Sequence, residues 1–287
     1  MYNLYSHLVN NPARCRRFTC GQSLITMFNC RLENRFEDLW SHYNYIVYVV
    51  EGRKIWHTSH GSYDLKQGSC VFVKKGASMV EQFFDTEFCF ILFFLPDDFI
   101  CEVLQEKTVP LIRSGTDEEL VMHIERTDSV DIFYRSMFSF FENLREPDQA
   151  LLRLKFSELI LTIADNPLNH SLQAYFHSIL CKPQTVSLQR IMEDNFCFNL
   201  KLEEFSKLAA RSLSAFKRDF QAIYRTSPGR WLTERRLDHA RNLISNQGYT
   251  VSEASFHSGF ENVSHFSRAF KLRYGHTPAG MKQLARS

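Results

Sequence analysis

Residues 213–228 and 263–278 are versions of one another at a constant offset of 50. Leu213 falls on Val263, Phe216 on Phe266, Arg218 on Arg268 and Phe220 on Phe270. Tyr224 falls on Tyr274, and Ser227-Pro228 on Thr277-Pro278. Upstream the match continues at an offset of 49, with Phe205-Ser206 on Ala254-Ser255 and Ala210 on Gly259. Self-similarity at a fixed spacing constrains a fold more than composition can, because both copies must solve the same packing problem. Each copy reads as a helix of about eight residues, a tight turn at Ala210 or Gly259, and a second helix. The second copy's turn is one residue longer. The pattern is a pair of helix-turn-helix units.

The second helix of each unit divides into two faces. Leu213, Phe216, Phe220 and Tyr224 recur at helical spacing and should pack inward, as should Val263, Phe266, Phe270 and Tyr274. Ser214, Lys217, Arg218 and Gln221 face outward in the first unit; Ser264, Ser267, Arg268 and Lys271 do so in the second. Asn262 or Glu261 can cap the second of these helices. Arg and Lys pair with guanine edges or phosphates, Gln with adenine, and small Ser permits close approach. The bland alternative is an amphipathic helix with a solvated outer face. That suffices for one helix, but two matched copies in a basic region point to DNA. Between the units a helix runs from about Pro228 to Ser245, with proline at a favoured first-turn position. Its length of roughly 27 Å suits reading heads near successive major grooves, roughly 34 Å apart. Leu232, Arg236, Ala240 and Leu243 form one stripe along it.

Charge supports a polyanionic partner for this part of the chain. Residues 182–287 carry 17 Lys and Arg against 9 Asp and Glu, a net +8; residues 1–181 hold 17 against 23, a net −6. The eight cysteines include no Cys-x-x-Cys pair, so reduced thiols are expected rather than a zinc site or a disulfide framework. The longest apolar run, "FCFILFFL" from Phe88 to Leu95, is far short of the roughly 20 residues that cross a bilayer. The opening "MYNLYSHLVNNPARCRRF" has no secretion-signal pattern. A cytoplasmic protein is expected, without membrane association.

"RRLDHARNLI" followed by "GFENVSHFSRAFKLRYGHTP" resembles the C-terminal signature of the AraC/XylS family of bacterial transcription regulators, over about residues 186–284. The resemblance implies a seven-helix domain whose two units enter adjacent major grooves of promoter DNA. By position it puts DNA contacts on Ser214, Lys217, Arg218 and Gln221, and on Val263, Ser264, Ser267 and Arg268. The repeat alignment turns Val263 inward. Relatives often carry Ala where Ser206 and Ser255 stand, and an aliphatic residue at Ala254; all three are packing positions.

Residues from about 22 to 95 read as strands: "SLITMFNC", "YIVYVVEG", "KIWHT", "SCVFVKKG" and "FCFILFFL". Such domains in this family resemble cupins, and "GSCVFVKKGASMV" resembles the second cupin motif, with Gly68 and Gly76 in place. Lys74 stands where a proline is usual, and Met79 where a metal-binding histidine is usual. "HYN" (His42–Asn44) replaces a His-x-His pair. His57 and His60 remain and are read as surface or structural residues, because the rest of a ligand set is missing. No nucleophile–base constellation and no Gly-rich phosphate loop is present, so neither catalysis nor a cofactor is expected. Helices are expected over 129–144, 149–165 and 169–180. The apolar excess of "FYRSMFSFFENL" fits either packing within the domain or a homodimer interface, which the resemblance favours.

The expected fold is α+β. Residues 1–181 form a cupin-like β-barrel with a helical segment, for regulation and dimerisation. A linker at 181–187 leads to residues 182–287, an all-α DNA-binding domain with two helix-turn-helix units. The layout also resembles, less strongly, a subgroup that activates type III secretion genes, through "SPGRWLTERRLDHARNLI" and "YIVYVVEG … LKQGSCVFVKKGASMV". In that subgroup a protein anti-activator tends to govern the N-terminal domain. The functional expectation is a sequence-specific activator on double-stranded promoter DNA that engages RNA polymerase and answers to a protein partner or a small ligand. The competing expectation is a cupin-like small-molecule binding protein or metal enzyme with a helical assembly domain.

Overall fold

The computed structural model describes residues 1–11, 15–29, 34–84, 88–108, 110–111, 119–142, 146–181 and 188–284. The chain divides into two compact units, Met1–Val186 and Ser187–Ser287. In chain order the first contains β1 (Tyr2–Asn3), α1 (Leu4–Asn10), β2 (Arg16–Cys20), β3 (Ser23–Asn29), β4 (Phe36–Ser41), β5 (Asn44–Glu51), β6 (Arg53–Thr58), β7 (Gly61–Lys66), β8 (Cys70–Val73), β9 (Gly76–Gln82) and β10 (Cys89–Leu95). It continues with α2 (Asp97–Gln105), β11 (Val121–His123), α3 (Asp128–Glu142), α4 (Gln149–Asp165) and α5 (His170–Cys181).

The strands form two sheets, ordered β1-β4-β9-β6-β7 and β11-β8-β5-β10-β3-β2. β10 explains the layering. It pairs antiparallel with β3 and β5, Ile91 standing opposite Met27 and Tyr48. Phe90, Leu92 and Phe94 join a core with Leu39, Trp56, Leu65 and Val80 of the other sheet. Ile91, Phe93 and Leu95 point the other way, into a core shared with helical residues such as Phe133, Phe156, Ile160 and Phe176. A strand covered on both faces has no reason to alternate with polar residues, hence the unbroken run "FCFILFFL".

The expected α+β division holds, but the sheets do not close into a barrel. The β2 edge is occupied by the helical segment instead of by another strand. Gln149 Nε2 donates to the Thr19 carbonyl at 2.9 Å, and Arg16 Nη1 donates to the Phe141 carbonyl at 2.8 Å. Covering an edge in this way removes its tendency to pair further. α2 lies in a stretch assigned no element from the sequence. Its signals were present, with Pro96 at the cap and Asp97 and Asp98 in the first turn. No described helix is long and apolar enough to cross a membrane.

His57, on β6, is held by Ser62 Oγ at 2.7 Å and Glu81 Oε2 at 3.2 Å. The same carboxylate accepts from Arg35 at 2.7 Å, and this partnership lowers its pKa. His60 is exposed in the turn after β6. Among the described residues no three His, Cys, Asp or Glu side chains converge as a ligand set. The seven described cysteines are thiols.

The second unit is helical: α6 (Leu188–Asn195), α7 (Leu202–Leu208), α8 (Leu213–Tyr224), α9 (Pro228–Asn246), α10 (Val251–His257), α11 (Val263–Tyr274) and α12 (Pro278–Leu284). Most of the expected 181–187 linker lies outside the described residues.

Candidate nucleic-acid interface

The two helix-turn-helix units share a backbone hydrogen bond for hydrogen bond. After α7, the Ala210 amide donates to Lys207 O (3.0 Å) and the Arg211 amide to Ser206 O (2.9 Å). After α10, the Gly259 amide donates to Phe256 O (2.9 Å) and the Phe260 amide to Ser255 O (3.1 Å). Both turns pass through the left-handed region, Ala210 at φ 51° and Gly259 at φ 80°, which reverses the chain and satisfies the last helical carbonyls. Ser212 caps α8 by accepting from the Ala215 amide, and Asn262 caps α11 by accepting from Ser264 and His265. Each second helix ends on another left-handed residue, Arg225 or Gly275. The Ser227 and Thr277 side chains then accept from the Arg230 and Gly280 amides, each at the start of a Pro-led helix.

Inside, Phe216 and Phe220 of α8 and Phe266 and Phe270 of α11 are fully buried. Phe220 stacks on Tyr224 at 4.5 Å, and Phe270 lies 4.6 Å from Tyr274. The inward stripe thins at its ends. Leu213, Tyr224 and Tyr274 are half-buried, and Val263, expected inward, is 42% exposed. Element lengths account for this: a seven-residue first helix is about 10 Å long and cannot cover the whole of a twelve-residue second helix of about 18 Å. The resemblance-based place of Val263 among the outward residues therefore fits better than the repeat-based one.

Outside, Ser214, Lys217, Arg218 and Gln221 of α8 are all exposed. On α11, Ser264, Arg268 and Lys271 are exposed and Ser267 is half-buried. Arg218 Nε lies 3.2 Å from Asp219 Oδ1, and Asp219 also meets Arg211 at 3.3 Å. Among the described residues Arg268 Nε reaches its own helix, at the Ser264 carbonyl, 3.4 Å away. Sequence reasoning passed over His265, which is exposed beside this face; a helical wheel would have placed it there. Also unread was Leu272, 90% exposed.

The connecting helix α9 buries Leu232, Leu237, Ala240, Leu243 and Ile244. Arg236 lies among them and donates to two carbonyls of the α6–α7 loop, Phe196 O through Nε (2.6 Å) and Phe198 O through Nη2 (2.7 Å). Burial pushes its pKa down, while Cys197 and the Glu261 carboxylate act in the opposite direction. Asp238 ties α9 to the end of α11, accepting from Arg273 Nη2 (2.9 Å) and from the Tyr274 hydroxyl (2.5 Å). Burial first, and then this bond to a carboxylate, push Tyr274 up to about 12.

Comparison with known proteins assigns families to both units. Residues 44–175 match the ExsA N-terminal regulatory domain, and residues 205–283 a helix-turn-helix domain. The thermoregulatory protein LcrF of Yersinia pestis is 26% identical over 234 residues, 80% of this chain and 86% of that one. The HTH-type transcriptional regulator ExsA of Pseudomonas aeruginosa is 29% identical over 140 residues, 49% of this chain and 50% of that one. A crystal structure of an apo ToxT variant from Vibrio cholerae superposes over 94% of this chain and 99% of that one, with a TM-score of 0.44 and 13% identity.

Proposed function

The chain belongs to the AraC/XylS family of DNA-binding transcription regulators, and from that premise we propose that it is an activator that reads an asymmetric promoter site with both helix-turn-helix units. One observation carries the reading. Two units with the same left-handed turn positions, side-chain caps and buried phenylalanines present different outward polar faces, Ser214, Lys217, Arg218 and Gln221 against Ser264, the half-buried Ser267, Arg268 and Lys271. Arg218 and Arg268 read base edges, and Lys217 and Lys271 lie nearer phosphates. Residues 182–287 constitute the DNA-binding domain and residues 1–181 the regulatory one, acting in the cytoplasm.

The N-terminal unit receives the signal, from a protein anti-activator or a small ligand, and the bound activator engages RNA polymerase. It also pairs two copies of the chain through α3 and α4, on which Ile132 is 61% and Leu154 66% exposed. Exposed aliphatic side chains on neighbouring helices favour association.

Selection of double-stranded DNA from a random pool by the full chain tests the reading. Two conserved blocks about one helical turn apart are expected, roughly 10–10.5 base pairs centre to centre. An absence of any enriched sequence sinks the proposal. Proteins and small molecules that co-purify with the full chain identify the input.

A further inference from the structure

The two units diverge at one point in their backbone. Offset 49 carries Ala209, Ala210 and Arg211 onto Ser258, Gly259 and Phe260, while offset 50 carries Ser212 and Leu213 onto Asn262 and Val263. Glu261 is the residue between. It has no counterpart in the first unit, so the helix-turn-helix geometry itself does not require it.

Its side chain is nevertheless engaged. Glu261 Oε1 accepts a hydrogen bond from Asn199 Nδ2, 62 positions earlier, in the α6–α7 loop. That loop leads into α7, the first helix of the first unit, so the extra residue of the second unit's turn is joined to the entry of the first. Two further contacts converge there. Arg236 holds the carbonyls of Phe196 and Phe198 from α9. The Cys197 carbonyl lies so near Gly259 that a Cβ there would meet its oxygen at 2.5 Å. Residues 196–199 are thus fixed from α9, from the turn glycine and from the inserted glutamate. The carbonyls are held by a cation buried enough to need them.

We infer that Glu261, with Asn199 and Arg236, is a positioning residue that locks the α6–α7 loop to the second unit's turn, and so sets the spacing between the two DNA blocks that the chain accepts. The inference rests on the two-unit reading of DNA given above. Spacing is a demanding variable. One added base pair moves the second block by about 3.4 Å and rotates it by about 35°, enough to break the contacts that read that block. A rigid joint refuses that change, whereas a loosened joint follows it.

The test uses the full chain, native and with Glu261→Ala, on operators drawn from the native chain's own selected sequence. The spacer between blocks is lengthened or shortened by one base pair. The native chain should lose on the order of 100-fold in affinity on either altered operator, and Glu261→Ala no more than about 10-fold. Random-pool selection with Glu261→Ala should return the native bases in both blocks at spread separations. Asn199→Ala should act in the same direction from the other end of the bond. If Glu261→Ala binds with the native spacing penalty, the lock is refuted. Loss of either block's base preference in that variant refutes it too, since the residue would then be supporting the fold of a reading helix. If the native chain itself selects no blocks, the two-unit reading fails rather than the lock.

Discussion

Gly259→Ala probes the turn on which the second unit depends, and the first unit supplies its internal control. At φ 80° an alanine pays about 1–2 kcal/mol for left-handed backbone. Its Cβ would also stand 2.5 Å from the Cys197 oxygen and 2.9 Å from the Cys197 carbonyl carbon. That carbonyl cannot easily withdraw, because Arg236 grips its neighbours on both sides at 2.6 and 2.7 Å. Disturbing one such charged hydrogen bond costs about 1.5–3 kcal/mol. The loss should therefore total about 3–5 kcal/mol, felt in the second unit and in the α6–α7 loop that its turn touches. Ala210 occupies the matching place with φ 51°. Ala210→Gly relieves about 1–2 kcal/mol of strain and returns about 0.4–1 kcal/mol as unfolded-chain entropy, a small net gain. Residue-resolved hydrogen exchange on the full chain separates the two. Amides of α10 and α11 should exchange about 100-fold faster or more in Gly259→Ala, following tenfold per 1.4 kcal/mol, and α7 and α8 should be unchanged or slightly slower in Ala210→Gly. Native exchange rates in Gly259→Ala, or shifts of the same sign in both variants, would refute the argument.

Arg268→Ala should cost about 1–3 kcal/mol on the selected operator and relax one base position, while Lys217→Ala should weaken all sequences alike and reduce the salt slope by about 1; binding titrations at several salt concentrations distinguish the two. Ser258 Oγ is buried without a hydrogen-bond partner among the described residues, and Ala209 holds its place in the first unit. Ser258→Ala should thus stabilise α10 by about 1 kcal/mol, seen as slower exchange, whereas Ser206→Ala loses a 2.8 Å bond to the Glu203 carbonyl and should not. Tyr274 titrates above the usual tyrosine value, at about 12. Its stabilising contribution is complete below pH of about 10 and is lost as pH rises towards 12, because the folded state resists deprotonation that the unfolded chain accepts. Asp238→Ala should bring that titration part of the way back towards 10, measured as the tyrosinate absorbance difference between variant and native chains.

The helical unit was readable because its signals are local and occur twice. Phe216, Phe220, Phe266 and Phe270 mark the buried stripe by spacing alone, and the step from offset 50 to 49 located the longer turn before any coordinates. What escaped depends on residues distant in sequence. Spacing puts Arg236 on one stripe of α9, but the carbonyls it holds, 38 and 40 positions away, leave no trace in a periodicity. The open sheet depends on contacts such as Gln149 with Thr19, 130 positions apart, whereas strand propensity says nothing of where an edge ends. Val263 departs from its repeat-based inward place because equal spacing does not impose equal burial along a helix. The shorter partner helix limits what can be covered, and that follows from element lengths more than from residue types.

Duplication with this pattern of divergence carries a consequence for the DNA. The shared features are those that build the motif: left-handed turn residues, side-chain caps at Ser212 and Asn262, and pairs of buried phenylalanines. Apart from Glu261 in the longer turn, the features that differ are outward or flanking side chains, where Lys217 is matched by Ser267, Gln221 by Lys271, and the half-buried Asp219 by Ala269. Asp219 is the most telling of these. It places a carboxylate 3.2 Å from Arg218, so on the proposed reading the first unit's arginine would meet DNA with part of its charge compensated. Among the described residues Arg268 meets a backbone carbonyl of its own helix, so on the same reading its charge would stay uncompensated for phosphate or guanine. Two copies that kept identical faces would favour a direct repeat in the operator. Faces differing in charge, in donor set and in the restraint of their arginines favour two unlike blocks, and a site of that kind gives the bound chain one orientation on the promoter.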